Sequence, residues 1–326
     1  MIPPWYRALE EAWYRGAWWL GLLIPAEWLF RSVTFLRRAA YRRGLLHVYR
    51  SPGPVVVVGN ITPGGTGKTP VVIALAQALS DRGIRVGVVS RGHGARAGGG
   101  PHLVDASSTV EDCGDEALLI FRRAGCPCAV GRSRPAALRL LEAETDVDLV
   151  ISDDGLQHYA MARDLEIVLY DRRWGFGNGR CLPAGPLREP LSRLGEVDFV
   201  LCRGRDEDAD VHYRAGGLVN IASGERREFS PAAIGTAIHA VAAIGCPRQF
   251  LDELAGAGFE PEAHVFRDHY VFRREDFAAL LDKPIIMTEK DAVKCANLAG
   301  ENAWFVQISA VVPRQLTAAV LSLVKS

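Results

Sequence analysis

The sequence lacks an excess of charge of either sign: 38 lysines and arginines balance 38 aspartates and glutamates, and the isoelectric point is near 7.1. No overall basic field attracts nucleic acid, so we expect no nucleic-acid partner. Cysteine is sparse, with seven scattered residues, no CxxC pair and no nearby Cys/His set at zinc spacing. This pattern excludes a disulfide framework or zinc finger and favours a reducing compartment with buried, apolar cysteines.

The N-terminal region lacks the run of about 20 apolar residues that a transmembrane helix needs. Its apolar stretch, AWWLGLLIPAEWLF (17–30), has 14 residues and contains Pro25 and Glu27, and no signal-peptide cleavage site precedes the arginine cluster at 37–43. Yet the first fifty residues carry five of the seven tryptophans and eight arginines against three glutamates. Tryptophan prefers the headgroup level and arginine attracts anionic lipid, which predicts helices lying on a membrane surface. The alternative is a helix hairpin whose aromatic face packs on its own protein.

The chain is long enough for about two domains, and from residue 54 strand-like runs alternate with helical periodicity. That alternation predicts a mostly parallel sheet covered by helices on both faces. The predicted strands are 54–58, 85–90, 128–131, 147–152 and 165–170, and the predicted helices are 69–82, 115–124 and 133–144.

A Pro/Gly/Arg-rich stretch at 171–193 has little periodicity and is interpreted as a domain connection or an active-site loop. We expect a second, smaller lobe after it, with strands at 198–202, 238–245, 284–289 and 304–308, a helix around 247–257 and a last helix from Pro313. The predicted organisation is an N-terminal membrane-associated segment (1–50), a P-loop domain (51–171) and a second α/β/α domain (172–326), with a hinge near 172–193.

The stretch GNITPGGTGKTP (59–70) is a glycine-rich loop between a strand and a helix. In phosphate-binding loops, backbone N–H groups turn inward, a lysine reaches the outer phosphates and a Ser/Thr hydroxyl binds Mg²⁺. The strict GxxxxGK[ST] pattern would place glycine at Thr62, so this is a variant loop. The residues predicted to bind nucleotide are Gly64, Gly65, Thr66, Gly67, Lys68 and Thr69.

Two acids follow the predicted strand at 147–152, in SDDGLQH: Asp153 and Asp154. A nucleoside triphosphate site needs an acid at the end of a neighbouring strand to hold magnesium. Turn or capping residues would look the same in isolation, but the nearby phosphate loop favours a Mg²⁺ site.

Two further signals are weak by themselves. Asp115 and Glu116 open a predicted helix, where capping alone would explain them. Asp268 and His269 lie in FRDHYVF (266–272), in a loop where a lone histidine is more often structural. Sequence spacing does not show whether residues 115 and 269 meet.

Seven motifs occur in order: VGNITPGGTGKTP, SRGHG, GDEALL, SDDGLQH, LPAGPLREP, FRDHYVF and TEKDAVK. Together with the aromatic N-terminal segment, they make nearly the whole chain resemble the tetraacyldisaccharide 4'-kinase family of Gram-negative bacteria. The resemblance implies two α/β/α lobes joined by a hinge. It also implies ATP-dependent phosphorylation of the 4'-hydroxyl of tetraacyldisaccharide 1-phosphate, to form lipid IVA in lipid A and lipopolysaccharide biosynthesis. The implied place is the cytoplasmic face of the inner membrane, as a peripheral or monotopic protein without an obligate protein partner.

The resemblance also implies residue roles. Lys68 and Thr69 would hold the ATP phosphates and Mg²⁺, and Asp153 and Asp154 would complete the metal site. Asp115 would accept the proton of the sugar hydroxyl, His269 would orient or tune it, and Arg188 would stabilise the transferring phosphate. The implied acceptor-binding residues are Arg91, Arg134 and His158.

Two positions depart from the family pattern, and one rival function is open. Cys246 in AIGCP and His93 in SRGHG replace the residues that the pattern would have there, which puts loop and acceptor details in doubt. The rival is a membrane-associated P-loop ATPase switch of the positioning or partitioning type, because GGTGKT also occurs in that class. Such switches carry a lysine where this chain has Pro63, and FRDHYVF and TEKDAVK stay unexplained. A non-catalytic nucleotide-dependent scaffold would require that Asp115 and His269 be dispensable.

Overall fold

A computed structural model describes residues 4–64, 66–95, 100–204, 207–296 and 298–325. The architecture is α/β, with a seven-stranded sheet and a six-stranded sheet, each covered by helices. Gly65 of the predicted phosphate loop lies outside the described residues.

The first sheet has the strand order β3-β4-β2-β5-β1-β6-β7, and every pairing in it is parallel except that of β3 with β4. Its central strands are continuous apolar runs because both faces are buried. The strands are β1 (Val55–Gly59), β2 (Val86–Ser90), β3 (His102–Val104), β4 (Cys128–Val130), β5 (Leu149–Asp153), β6 (Leu165–Asp171) and β7 (Phe199–Arg203).

Helices pack on both faces of this sheet. Alternate residues of β1 serve the two sides: Val56 and Val58 join one apolar core, and Val55 and Val57 join the other. The first core includes α3 (Lys68–Ser80), α5 (Asp115–Ala124) and the C-terminal α11 (Arg314–Lys325), and the second includes α6 (Arg134–Glu144). The short α4 (Val110–Cys113) precedes α5. The predicted three-layer arrangement is confirmed.

The second sheet has the order β11-β10-β12-β13-β8-β9. Phe250 of α8 packs on one face, and Phe277 of α9 and Ala292 of α10 pack on the other. Its strands are β8 (His212–Asn220), β9 (Arg226–Arg227), β10 (Ala237–Ala242), β11 (Glu260–Val265), β12 (Ile285–Thr288) and β13 (Ala303–Val311). Its helices are α7 (Pro231–Ile234), α8 (Pro247–Gly256), α9 (Glu275–Ala278) and α10 (Glu289–Cys295).

The strand predicted at 198–202 forms, but its assignment to the second lobe is wrong. The run at 198–202 forms β7, which pairs in parallel with β6 and is the edge strand of the first sheet. A strand after a Pro/Gly-rich loop carries no sequence signal of which sheet it joins, and its backbone pairing with β6 places it in the first sheet. The first sheet therefore continues to residue 203, whereas the division into domains near residue 172 stays a prediction.

Strands β8 and β11 were missed by the sequence analysis. The sequence of β8, HYRAGGLVN, contains two adjacent glycines, and that of β11, EPEAHV, is polar with a proline. Both patterns are unfavourable for strands in isolation. β8 forms because it pairs antiparallel along the nine-residue β13, and β11 forms at the edge of the sheet beside β10.

The N-terminal region comprises α1 (Pro4–Arg15), a 3₁₀ helix (Trp18–Leu23) and α2 (Ile24–Arg42). Buried Glu27 accepts hydrogen bonds from the Cys181 backbone N–H (3.0 Å) and the Arg180 guanidinium (3.2 Å). The Arg38 side chain, farther along α2, pairs with Glu196. One side of α2 is thus packed on the protein, but the aromatic side chains Trp18, Trp28 and Phe35 are exposed, contrary to the hairpin alternative.

The other side of α2 is apolar and exposed. The helical stretch Trp18–Arg42 is long and apolar enough to cross a membrane by length and composition. The 14-residue run considered in the sequence therefore underestimated the length of the apolar helical segment. The large apolar side chains exposed on this stretch are Trp18, Leu22, Trp28, Leu29, Val33, Phe35 and Leu36.

Candidate active site

The phosphate loop joins the end of β1 to the start of α3. Gly67 stands at the N-cap of α3 with φ = 82°, a left-handed conformation that glycine adopts without strain, and Gly64 has φ = 94°. Lys68 is the first residue of α3 and Thr69 the second, so both lie at the positive end of the helix dipole. The hydroxyl of Thr66 is buried and has no hydrogen-bond partner among the described residues. This loop offers donors for a phosphate chain.

Lys68, Asp154 and Arg188 meet beside the loop. The Lys68 Nζ is 3.2 Å from Asp154 Oδ1, and Arg188 Nη1 is 3.6 Å from Asp154 Oδ2. Asp154 has φ = 50°, which turns the chain sharply after β5. Burial alone would raise the pKa of Asp154, but the charges of Lys68 and Arg188 hold it below its ordinary value. The structure therefore brings three of the sequence-predicted residues together.

The loop that carries Arg188 is anchored directly to the phosphate loop. The Arg188 backbone N–H donates to the Ile61 carbonyl at 2.7 Å. The Gln157 amide donates both to the Asn60 carbonyl (3.1 Å) and to Glu189 (2.8 Å). These bonds hold the segments after β1, after β5 and before β7 in one assembly.

Asp153 is the last residue of β5 and is buried. Its Oδ1 has no hydrogen-bond partner among the described residues. Burial raises the pKa of Asp153 to about 7, and the negative charge of Glu116 adds to this increase. A divalent cation would relieve both effects, because it ionises and coordinates such an oxygen. The oxygen-donor set of Thr69, Asp153 and Asp154 therefore fits Mg²⁺.

Arg134 does not fit the role of a direct acceptor contact. It is completely buried at the start of α6, and its guanidinium donates to the carbonyl oxygens of Asp153 (2.7 Å) and Gly131 (3.2 Å). Since no part of it is open to a lipid, we reassign Arg134 to holding the end of β5, from which Asp153 projects.

Arg91 and His158 lie in the same neighbourhood as Arg134. Arg91 is exposed, and its positive charge affects the pKa of His158. Burial, together with the charges of Arg134 and Arg91, lowers the pKa of His158 to about 4. His158 is therefore neutral at physiological pH and suited to hydrogen bonding. Contact of Arg91 and His158 with the acceptor stays a prediction.

Asp115 and His269 are in direct contact although they are 154 positions apart. His269 Nδ1 is 2.9 Å from Asp115 Oδ2, and Asp115 is buried at the start of α5. His269 has φ = 55°, an uncommon value for a residue with a side chain, and this turn directs the ring toward α5. The pair is already formed in this conformation, so lobe closure is not needed to bring it together.

The electrostatics of this pair favour an ionised aspartate. Burial alone would raise the pKa of Asp115, but the hydrogen bond from His269 and the charge of Lys290 hold it below its ordinary value. The same hydrogen bond raises the pKa of His269. Asp115 is thus a carboxylate at neutral pH, with His269 as its hydrogen-bond donor.

Lys290 and Tyr213 were missed as site residues by the sequence analysis. Lys290 Nζ is 3.1 Å from Glu116 Oε1, 3.5 Å from His269 Nε2 and 3.8 Å from Asp115 Oδ2. The motif TEKDAVK contained Lys290 but gave no role to it. Tyr213, on β8, donates its hydroxyl to the Gly67 carbonyl of the phosphate loop, and no sequence signal connects the two.

We expect Tyr213→Phe to raise KM for ATP by about 2- to 10-fold, because a single neutral hydrogen bond contributes on the order of 0.5–1.5 kcal/mol. The ring that packs against Gly67 is retained, so only the bond to the Gly67 carbonyl is lost. Steady-state kinetics at varied ATP measures the effect. Tyr49→Phe, which removes a hydroxyl bonded to Glu142 away from the loop, is the control; an equal change in both variants would contradict the assignment.

Comparisons with known proteins identify the family of this chain. The family model described as tetraacyldisaccharide-1-P 4'-kinase matches residues 19–325. A tetraacyldisaccharide 4'-kinase of Azotobacter vinelandii is 50% identical over 93% of this chain and 92% of its own length. One from Pseudomonas aeruginosa is 47% identical over the same shares.

A solved structure has the same fold. The crystal structure of LpxK from Aquifex aeolicus in complex with ATP has a TM-score of 0.79 and 26% identity, over 93% of this chain and 99% of that one. The partitioning-type ATPase switch is therefore not favoured. The match of the family model and of both relatives over more than nine-tenths of the chain shows that it belongs to the tetraacyldisaccharide 4'-kinase family.

Proposed function

We propose that this enzyme transfers the γ-phosphoryl group of ATP to the 4'-hydroxyl of tetraacyldisaccharide 1-phosphate, with Asp115 as the base. The observation that carries the proposal is the buried Asp115–His269 pair, whose neighbour Glu116 acts electrostatically on Asp153 of the predicted metal site. A proton acceptor and a phosphate-binding loop thus share one site.

The reaction is one displacement at phosphorus. The bond between the γ-phosphorus and the β,γ-bridging oxygen breaks as a bond from the sugar oxygen forms, and the hydroxyl proton passes to Asp115. ADP leaves with the bridging oxygen. Because such transition states are loose, alignment and charge neutralisation contribute more than the strength of the base. Lys68 and Arg188 supply positive charge at the transferring group.

Mg²⁺ would be held by Thr69, Asp153 and Asp154 with the phosphate oxygens of ATP. When bound, it neutralises charge on those oxygens. Arg134 positions the end of β5, and His269 and Lys290 keep Asp115 ionised. His269 is therefore a positioning residue for the base.

Mass spectrometry tests the activity. Purified protein is incubated with Mg²⁺, ATP and tetraacyldisaccharide 1-phosphate in detergent micelles, with the Lys68→Ala variant in parallel. One added phosphate that is absent with the variant supports the proposal. Unmodified lipid alongside steady ATP hydrolysis that responds to vesicles alone would overturn it in favour of a membrane-responsive ATPase.

We expect His269→Ala to lower kcat far more than it weakens ATP binding, and to move the acid limb of the kcat profile to higher pH. Burial raises the pKa of Asp115, but the hydrogen bond from His269 lowers it and helps to hold it below its ordinary value. Without that bond, the pKa of Asp115 increases, so the carboxylate is lost at a higher pH as the pH falls.

The measurement is kcat against pH at saturating ATP, with His47→Ala, an exposed histidine, as the control. An unshifted acid limb, or equal losses in kcat and ATP affinity, would mean that His269 does not tune Asp115.

We further propose that α2 lies on the cytoplasmic face of the inner membrane, where ATP is available and the lipid acceptor resides. α2 is attached to the protein through Glu27 in its first half and Arg38 in its second half. Its opposite side exposes aromatic and aliphatic side chains next to arginines. A helix held along one side and apolar on the other suits the plane of the interface better than a bilayer crossing.

We expect the combined change Trp28→Ser, Leu29→Ser and Phe35→Ser to weaken binding to anionic vesicles more than about tenfold, because each buried apolar side chain contributes roughly 1.5–3 kcal/mol. All three are exposed on α2. Sedimentation with vesicles measures binding. Leu281→Ser, at a similarly exposed position in the second lobe, is the control. Unchanged sedimentation of the triple variant would refute the surface role.

A further inference from the structure

A cluster of two histidines and a glutamate lies in the second lobe, outside the site described above. His239 is on β10, and Glu262 and His264 are on the neighbouring edge strand β11. His239 is directly opposite Glu262 in the parallel register. Residues two apart on a strand face the same side, so all three side chains project from one face of the sheet.

The donor atoms of the cluster are spaced as ligands of one small cation. His239 Nδ1 is 3.0 Å from His264 Nε2 and 3.6 Å from Glu262 Oε2, and His264 Nε2 is 3.8 Å from Glu262 Oε1. Tetrahedral ligands at about 2.0–2.1 Å from a zinc ion are about 3.3 Å apart. The 3.0 and 3.8 Å separations bracket that value, and the three donor atoms all lie within 4.8 Å of one another, so a small rotation of the Glu262 carboxylate brings one oxygen toward both histidines.

A neighbouring carboxylate orients the most buried ligand. His239 is almost fully buried, and its Nε2 is 2.8 Å from Asp282 Oδ1. That contact places the proton on Nε2 and leaves the Nδ1 lone pair directed into the cluster. A histidine that donates its other ring N–H to a carboxylate is the usual outer arrangement of a metal-binding histidine.

The charge around the cluster also suits a cation. Lys283 Nζ is 2.7 Å from Glu262 Oε2, which leaves Oε1 for a metal. The carboxylates of Glu262 and Asp282 and the ammonium group of Lys283 leave one net negative charge beside the two histidines.

We propose that His239, Glu262 and His264 bind one divalent transition-metal ion, with Zn²⁺ the best fit and a water molecule in the fourth position. Two imidazoles and one carboxylate favour zinc over the oxygen-only coordination of Mg²⁺. The ion links the edge strand β11 to β10. Because β11 ends at Val265, four residues before His269, the metal stabilises the strand that leads to the Asp115 contact.

The test is Zn²⁺ titration of the metal-free full-length protein in detergent, in competition with a chromophoric chelator. Millimolar Mg²⁺ is present throughout to occupy the nucleotide metal site. The variants are Glu262→Gln/His264→Asn, which removes two partly exposed ligands, and Asp282→Asn, which removes the carboxylate behind His239. His47→Asn, an exposed histidine elsewhere, is the control.

We expect wild type and His47→Asn to bind one more Zn²⁺ per chain than the double variant. Asp282→Asn should bind that ion about 10- to 100-fold more weakly. When Co²⁺ replaces Zn²⁺, wild type should show the visible absorption of a tetrahedral site. The double variant should lack that absorption. Equal Zn²⁺ stoichiometry and affinity in wild type and the double variant would overturn the proposal, as would a Co²⁺ spectrum that the double variant retains.

Discussion

Asp115→Asn is expected to lower kcat by about 10²–10⁴-fold, the range for loss of a positioned general base. Asparagine keeps the shape of the side chain and can still contact His269, but it cannot accept the proton of the sugar hydroxyl. KM for ATP should change little, because the phosphates are bound by the loop before α3 rather than by α5. Steady-state kinetics with the lipid acceptor at varied ATP measures both quantities.

The matched control is Asp81→Asn, which removes an exposed carboxylate at the C-cap of α3 and should leave kcat unchanged. Comparison with His269→Ala separates the two roles. If Asp115 is the base and His269 positions it, Asp115→Asn should lose more activity than His269→Ala. The residual kcat of Asp115→Asn should also no longer show the acid limb of the pH profile. Wild-type turnover by Asp115→Asn would eliminate this carboxylate as the base.

Lys68→Ala is expected to lower kcat by about 10²–10³-fold, as when one preorganised donor to a charged transition state is removed. A second effect adds to the first. The Lys68 charge lowers the pKa of both Asp153 and Asp154. Without it, the pKa of each increases and the metal site binds protons more readily at neutral pH, so the Mg²⁺ concentration needed for half-maximal rate should increase.

The measurements are kcat and the Mg²⁺ dependence at pH 7 and pH 8.5. The higher pH should restore part of the Mg²⁺ affinity of the variant, because it ionises the carboxylates, but not the lost turnover. Arg82→Ala, an exposed cation near the other end of α3, is the control. Lys68→Arg tests whether charge alone suffices, since the guanidinium has a different shape and reach. Full activity of Lys68→Ala would remove this lysine from the mechanism.

Much of the nucleotide site could be predicted from contiguous sequence. A phosphate loop depends on backbone N–H groups of successive residues, so its glycines, Lys68 and Thr69 are adjacent in the chain as well as in space. The same holds for the acids that follow β5. Asp154 and Lys68 were assigned to one site because a nucleoside triphosphate site needs an acid at the end of a strand next to the phosphate loop, and the structure places the two side chains 3.2 Å apart.

Other assignments failed because a short motif does not show how deeply a residue is buried or which residues it contacts. Arg134 was expected at the acceptor, yet the fold buries it under the end of β5, where its fork satisfies two carbonyl groups. The strand at 198–202 was expected in the second lobe, but its backbone pairs in parallel with β6 of the first sheet. Tyr213 lies on a strand with two adjacent glycines, which forms by pairing along β13 rather than through local strand preference.

The sequence by itself determined the family, the α/β class, the phosphate loop and the order of the functional motifs, because each of these depends on residues close together in the chain. Tertiary structure alone decided that Asp115 meets His269 and that the charge of Lys290 helps to keep Asp115 ionised. It also decided that His239 meets His264. These contacts join separate elements, and their pKa shifts arise from burial and distance, which exist only after the two sheets and their helices have packed.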